Sequence, residues 1–64
     1  MKNNLKNLRK QINITQDDLA YKLEVSRQTI SSIENGRYDP SITLAFKISI
    51  FFGKKIEEIF IYEE

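Results

Sequence analysis

From Thr15 to Tyr38 the chain reads TQDDLAYKLEVSRQTISSIENGRY, and the spacing within this stretch constrains the fold more than any bulk property. Thr15 is a residue type that caps helix N-termini, and Asp17 and Asp18 in the following turn complement the positive end of a helix dipole. The periodicity predicts a helix over about Gln16–Leu23 with Leu19, Ala20 and Leu23 on its inner face. Glu24 and Val25 leave room for only a short turn. Ser26 then caps a second helix running to about Asn35, and Gly36 supplies the left-handed residue at its end. On that second helix Ile30 and Ile33 point one way, Gln28, Ser31, Ser32 and Asn35 lie opposite, and Arg27 stands at the margin. The small Ala20 allows the two helices to cross closely.

The remaining segments read as a frame for this pair. A chain of 64 residues makes one small domain, burying about 60% of its unfolded surface, so residues 1–64 are taken as a single unit with the two-helix element at 16–35. Asn3 or Asn4 caps a first helix over Leu5–Gln11, with Leu5, Leu8 and Ile12 facing inward and Asn13 ending it. Arg37–Pro40 is an extended loop, because the residue before proline disfavours the helical region. Ser41 caps a fourth helix over Ile42–Phe52, which Gly53 closes, and a short fifth helix is expected near Ile56–Phe60. Ile61–Glu64 reads either as a frayed tail or as a short β-strand. The fold class expected is therefore all-α with five helices, with or without that strand.

Composition removes several classes of function. The chain has no Cys and no His, which excludes disulfide staples and the common zinc sites and fits a reducing compartment. No metal or cofactor is implied, and no small-molecule ligand site is evident. No basic-then-apolar segment opens the chain and no stretch suffices to span a bilayer, so a cytoplasmic product without membrane attachment is expected. The formal net charge is only +1, split as seven Lys/Arg against five Asp/Glu in residues 1–40 and three against four in 41–64. That imbalance is too weak to identify a nucleic-acid partner, so the case rests on spacing.

The fourth helix is apolar nearly all round. Ile42, Ala45, Ile48, Ser49 and Phe52 would make a sufficient inner stripe, yet Leu44 and Phe51 widen it on one side and Phe46 and Ile50 on the other. Such a helix is normally buried nearly all round, which a domain of this size cannot achieve alone. Scattered surface apolar residues are common and give the plainer reading. A homodimer seam within about residues 42–64 accounts for more of the pattern, with Leu44, Ile48, Phe51, Ile61 and Tyr62 as its expected contacts.

Small Ala20 at the crossing, the shared apolar positions Leu19, Leu23, Val25, Ile30 and Ile33, two caps and a short turn together specify a helix-turn-helix. With LRKQINITQDDLAYKL, VSRQTISSIENGRYDPS and LAFKISIFFGKKIEEIF in place, the chain resembles the Cro/Xre-type, lambda-repressor-like family of helix-turn-helix transcriptional regulators. It is most similar to the short stand-alone members, and the likeness runs from about Leu5 to Phe60. The resemblance implies five helices, a recognition helix in the major groove, and two-fold dimers on pseudo-palindromic operators. It implies that Gln16 bonds a phosphate and braces the recognition helix, and that Arg27, Gln28 and Ser32 reach base edges. Ser31 shares that face, and Ser26, Thr29, Asn35 and Arg37 fall near the DNA backbone. The chemistry agrees, since Gln pairs with adenine N6 and N7, Arg with guanine O6 and N7, and Ser with several bases. Taken alone, Ser26 is equally well explained as a cap and Thr29 as a residue turned toward the core.

The resemblance also implies that Arg9 and Glu34 form a partly buried ion pair of structural purpose. The chain departs from the family pattern at Glu24, where Gly is frequent, at Lys54, which follows Gly53, and in the apolar excess of the fourth helix. An enzyme is not expected, because the chain lacks His, Cys and a phosphate-binding glycine loop and is too short for a pocket. The competing reading is an antitoxin or protein-interaction module of the same fold. By default the regulator is a repressor that blocks polymerase.

Overall fold

The computed structural model describes residues 1–63. Its helices are α1 (Leu5–Gln11), α2 (Gln16–Leu23), α3 (Arg27–Glu34), α4 (Ile42–Phe52) and α5 (Ile56–Ile59), and two-residue strands lie at either end, β1 (Lys2–Asn3) and β2 (Phe60–Ile61). Most of these boundaries follow from caps. Thr15 and Asp18 form a reciprocal pair at the start of α2: the Asp18 N–H donates to Thr15 Oγ1 at 3.0 Å and the Thr15 N–H to Asp18 Oδ2 at 3.1 Å. Ser26 accepts from the Thr29 N–H at 3.1 Å and Ser41 from the Leu44 N–H at 3.2 Å, which fixes the starts of α3 and α4. At α1 the N-cap residue is Asn4, whose side chain makes no capping bond, and Asn3 before it accepts from the Leu5 N–H with Oδ1 at 3.1 Å. Asn4 instead turns its side chain to the Glu58 carbonyl at 3.2 Å.

The helix ends are as well determined. Gly36 (φ 74°) and Gly53 (φ 64°) stop α3 and α4 in the left-handed conformation. Glu24 does the same for α2 with φ 61°, and the Val25 N–H then closes on the Ala20 carbonyl at 3.0 Å. Asn13, at φ 58°, reverses the chain after α1. Two boundaries differ from expectation by a residue: α3 ends at Glu34, and α5 at Ile59 because Phe60 has become extended.

β2 fulfils the strand alternative for the C-terminal segment as far as Ile61, and Glu64 lies outside the described residues. Its partner was not anticipated. β1 pairs antiparallel with β2, Lys2 opposite Ile61 and Asn3 opposite Phe60, so the two ends of the described chain close on one another.

One core gathers from all five helices and β2: Leu5 and Leu8, Leu19, Ala20 and Leu23, Ile30 and Ile33, Leu44, Ala45 and Ile48, Ile59 and Phe60. Ile12 is not among them. It sits beyond the last turn of α1 and is half exposed.

The fourth helix corrects the sequence reading in a specific way. Leu44 and Ile48, both named as seam contacts, are buried inside the domain, 6% and 0% exposed, so Ile48 serves the inner stripe alone, whereas Ile42, assigned to that stripe, is 70% exposed. The apolar residues α4 leaves outside are Ile42, Phe46, Ile50 and, in part, Phe51. The polar strip of this helix, Thr43 and Lys47, is exposed but too narrow to fix its rotation alone. Its facing is set by where Leu44 and Ile48 meet the α1–α3 core. Among the described residues no helix is long and apolar enough to cross a membrane.

Candidate nucleic-acid interface

α2 and α3 pack on each other more extensively than any other pair of elements, and the turn between them is two residues and a cap. Ile30 and Ile33 are fully buried, which presses one face of α3 into the core and turns the opposite face outward. On that outer face Arg27, Gln28 and Asn35 are exposed and Ser31 and Ser32 half-buried. Arg37 is exposed just beyond, held by its N–H on the Ser32 carbonyl at 3.0 Å. The expected base-reading residues Arg27, Gln28 and Ser32, with Ser31 beside them, therefore lie along one face of one helix.

What fixes that element is a buried charge cluster centred on Glu34. Arg9 Nε donates to Glu34 Oε2 at 2.8 Å, and a terminal guanidinium nitrogen donates to Oε1 at 3.2 Å, a bidentate pair joining α1 to the last turn of α3. Gln16 Nε2 donates to Glu34 Oε1 at 3.1 Å, bringing in the first turn of α2. The other terminal nitrogen of Arg9 donates to the Ile14 carbonyl at 3.0 Å. The side chains of Arg9 and Glu34 are 10% and 3% exposed. Hydrogen bonding to Glu34 holds the Arg9 guanidinium in its charged form, its pKa raised above the ordinary value despite the opposing effect of burial. The ion pair and the brace expected of Gln16 are thus both present, and they converge on one carboxylate.

Ser26 and Thr29 stand apart from the other expected contacts. Ser26 caps α3, and its hydroxyl lies 2.9 Å from that of Thr29, so both groups have partners within the protein. Tyr38 enters the site unannounced. Its N–H reaches the Ser32 carbonyl at 3.3 Å, and its side chain borders a shallow depression with Ser26, Gln28, Thr29 and Ser32. No helical wheel could place it, because it follows the helix end and folds back. The N-terminal segment supports the same end of α3, with Asn3 Nδ2 donating to the Ile33 carbonyl at 2.8 Å.

This geometry, an inner apolar ridge and an outer polar one on the second of two crossed helices, coincides with the match of a family profile described as helix-turn-helix to residues 5–59. The chain belongs to the helix-turn-helix family of DNA-binding transcriptional regulators. Among the relatives of this helix-turn-helix protein is an HTH-type transcriptional regulator of Methanocaldococcus jannaschii, 67% identical over 64 residues, covering 100% of this chain and 97% of the relative. One from Archaeoglobus fulgidus is 45% identical over 64 residues, covering 100% of this chain and 90% of the relative. Another from Bacillus subtilis is 44% identical over 64 residues, covering 100% and 97%. The helix-turn-helix chain thus spans nearly the full length of these relatives.

Proposed function

We propose that this chain is a cytoplasmic, sequence-specific repressor that binds a pseudo-palindromic operator in double-stranded DNA as a homodimer, with α3 in the major groove. The observation that carries the reading is the outer face of α3, where Arg27, Gln28, Ser31 and Ser32 stand opposite two fully buried isoleucines. The Gln28 amide offers the donor and acceptor that adenine N7 and N6 require, the Arg27 guanidinium offers the two donors that guanine O6 and N7 require, and the serines suit several bases. Ser26, Thr29, Asn35 and Arg37 fall at the ends of the helix, where backbone phosphates run alongside it, and Gln16 serves them from the start of α2. The structural brace on Glu34 keeps its charge from opposing this approach.

Dimerisation rests on the apolar surface of α4 and the C-terminal strand. Ile42, Phe46 and Ile50, spaced four residues apart, form one exposed ridge, and Ile61 and Tyr62 add to the apolar surface at the end of the described chain. Phe51 is on the margin at 37% exposure. The same ridge supports a second reading, an antitoxin or interaction module that grips another protein. The two separate on salt, since DNA affinity falls with log[salt] at a slope near −0.9 per neutralised phosphate while an apolar protein contact hardly responds.

Selection of bound duplexes from random DNA supplies the motif and its symmetry. Replacing Gln28 with Ala should then weaken binding to the selected site by roughly fivefold or more, the value of one bidentate base contact, and leave random DNA almost unchanged. Equal losses on both duplexes would remove Gln28 from base readout.

A further inference from the structure

Asp17, in the first turn of α2, has the Arg27 side chain as its partner: Asp17 Oδ1 lies 4.0 Å from Arg27 Nε, across the narrow gap between the starts of α2 and α3. Both side chains are largely exposed, 73% and 68%, so the pair contributes little to folding. Its placement is nonetheless specific. Of the other acidic groups in and around the two helices, Glu34 is saturated by Arg9 and Gln16, Asp18 is held by Thr15, Glu24 pairs with Lys47 and Asp39 with the N-terminal amine. Asp17 is left beside the base-reading arginine.

We infer that Asp17 is a specificity-determining residue: it offsets the charge of Arg27, so that Arg27 reads a base rather than settling on a phosphate. The inference rests on the assignment of Arg27 to base readout. An unpaired arginine is attracted to any phosphate as a cation, whatever the sequence. With a carboxylate beside it, that sequence-independent attraction is reduced, while the forked donors that match guanine O6 and N7 remain. The approach is through Nε, which leaves the two terminal nitrogens uncommitted. Asp17 also repels phosphates near the start of α2 and so penalises loose, non-specific docking. Discrimination gained by making the wrong complex worse is a common route to specificity. Sequence alone gave Asp17 only a role with the helix dipole.

The test uses the full chain and its Asp17→Asn variant, a duplex enriched by the wild-type protein from a random library, single-base changes of that duplex, and a random duplex. Asp17→Asn keeps the Thr15–Asp18 cap, and Asp17→Ser provides a second neutral side chain suited to a first turn. Both variants should bind random DNA more tightly and lose roughly fivefold in discrimination at one guanine position, the low end of a single bidentate contact. Their salt slope on random DNA should steepen by about 0.9, as Arg27 takes up a phosphate. In an Arg27→Ala background, Asp17→Asn should leave discrimination unchanged. If Asp17→Asn and Asp17→Ser raise affinity for every duplex by the same factor, Asp17 acts by repulsion alone and the inference is overturned. If Arg27→Ala itself leaves discrimination intact, the assignment of Arg27 fails and the inference fails with it.

Discussion

The carboxylate of Glu34 is nearly out of water, and each of its oxygens is met by a donor, Oε2 by Arg9 and Oε1 by Arg9 and Gln16. Removing one member of such a cluster strands the others in a medium that cannot solvate them. Arg9→Ala or Glu34→Ala should therefore cost about 3–5 kcal/mol, a large part of the stability of a domain this small, read as a lower midpoint in urea. Glu24 and Lys47 provide the control. Their 3.7 Å pair is exposed at 82% and 45%, and Lys47→Ala should move the midpoint hardly at all. Asp18 is a different kind of charge, fully solvated but hydrogen-bonded by the Thr15 N–H and hydroxyl region, which holds its carboxyl below the ordinary 3.8. A depressed folded pKa means that the ionised form favours folding. Its contribution is complete above the unfolded value and disappears as pH falls through the folded one. The melting temperature of Asp18→Asn should accordingly trail the wild type from neutral pH down to about 4, and the gap should close only as pH falls further, through the lowered folded value. A gap that stays constant across the whole acid range would assign the effect to cap geometry instead of charge.

Among the elements, the α2–α3 turn carries the clearest strain. Glu24 occupies the left-handed region at φ 61°, ψ 42°, a conformation that costs a residue with a Cβ about 1–2 kcal/mol. Glu24→Gly relieves this and loses about 0.4–1 kcal/mol to the greater freedom of the unfolded chain. Glu24→Ala keeps the strain and removes the same exposed carboxylate. The glycine variant should thus be the more stable of the two by roughly 0.5–1 kcal/mol in urea denaturation. The element boundaries were largely legible in the sequence because they are local decisions: Thr15, Ser26 and Ser41 cap with their own hydroxyls, and Gly36 and Gly53 terminate with their own backbones. The resemblance to helix-turn-helix regulators supplied the Arg9–Glu34 pair, which no spacing rule joins across 25 positions. β1 was illegible for a non-local reason. Two residues have no periodicity, and Lys2–Asn3 is a strand only because Phe60–Ile61 arrives beside it. Tyr38 and the Asp17–Arg27 pair were equally beyond reach, since each depends on how closely two ends approach.

For the whole molecule, α4 decides between a self-contained domain and half of a larger reader. Its sequence could not reveal which apolar residues serve the core, and the fold divides them sharply: Ile48 is 0% exposed, while Ile50, two residues on, is 79% exposed. Burial of a single side chain inside the domain and its exposure on an outer ridge lead to opposite outcomes. Ile48→Ala empties part of the core and should destabilise each chain by about 2–5 kcal/mol whatever the concentration. Ile50→Glu removes almost nothing from that core, so the chain should remain folded with its far-ultraviolet dichroism intact. At a two-fold seam, however, it sets like charges near one another and forces them out of water. Sedimentation at tens of micromolar without DNA should then find a wild-type dimer and an Ile50→Glu monomer. On DNA the variant should lose affinity for the full palindrome while keeping the wild-type preference within a half-site, because α3 and its brace on Glu34 are untouched. A wild-type chain that sediments as a monomer at every concentration would defeat the homodimer and leave the ridge of Ile42, Phe46 and Ile50 to a different protein.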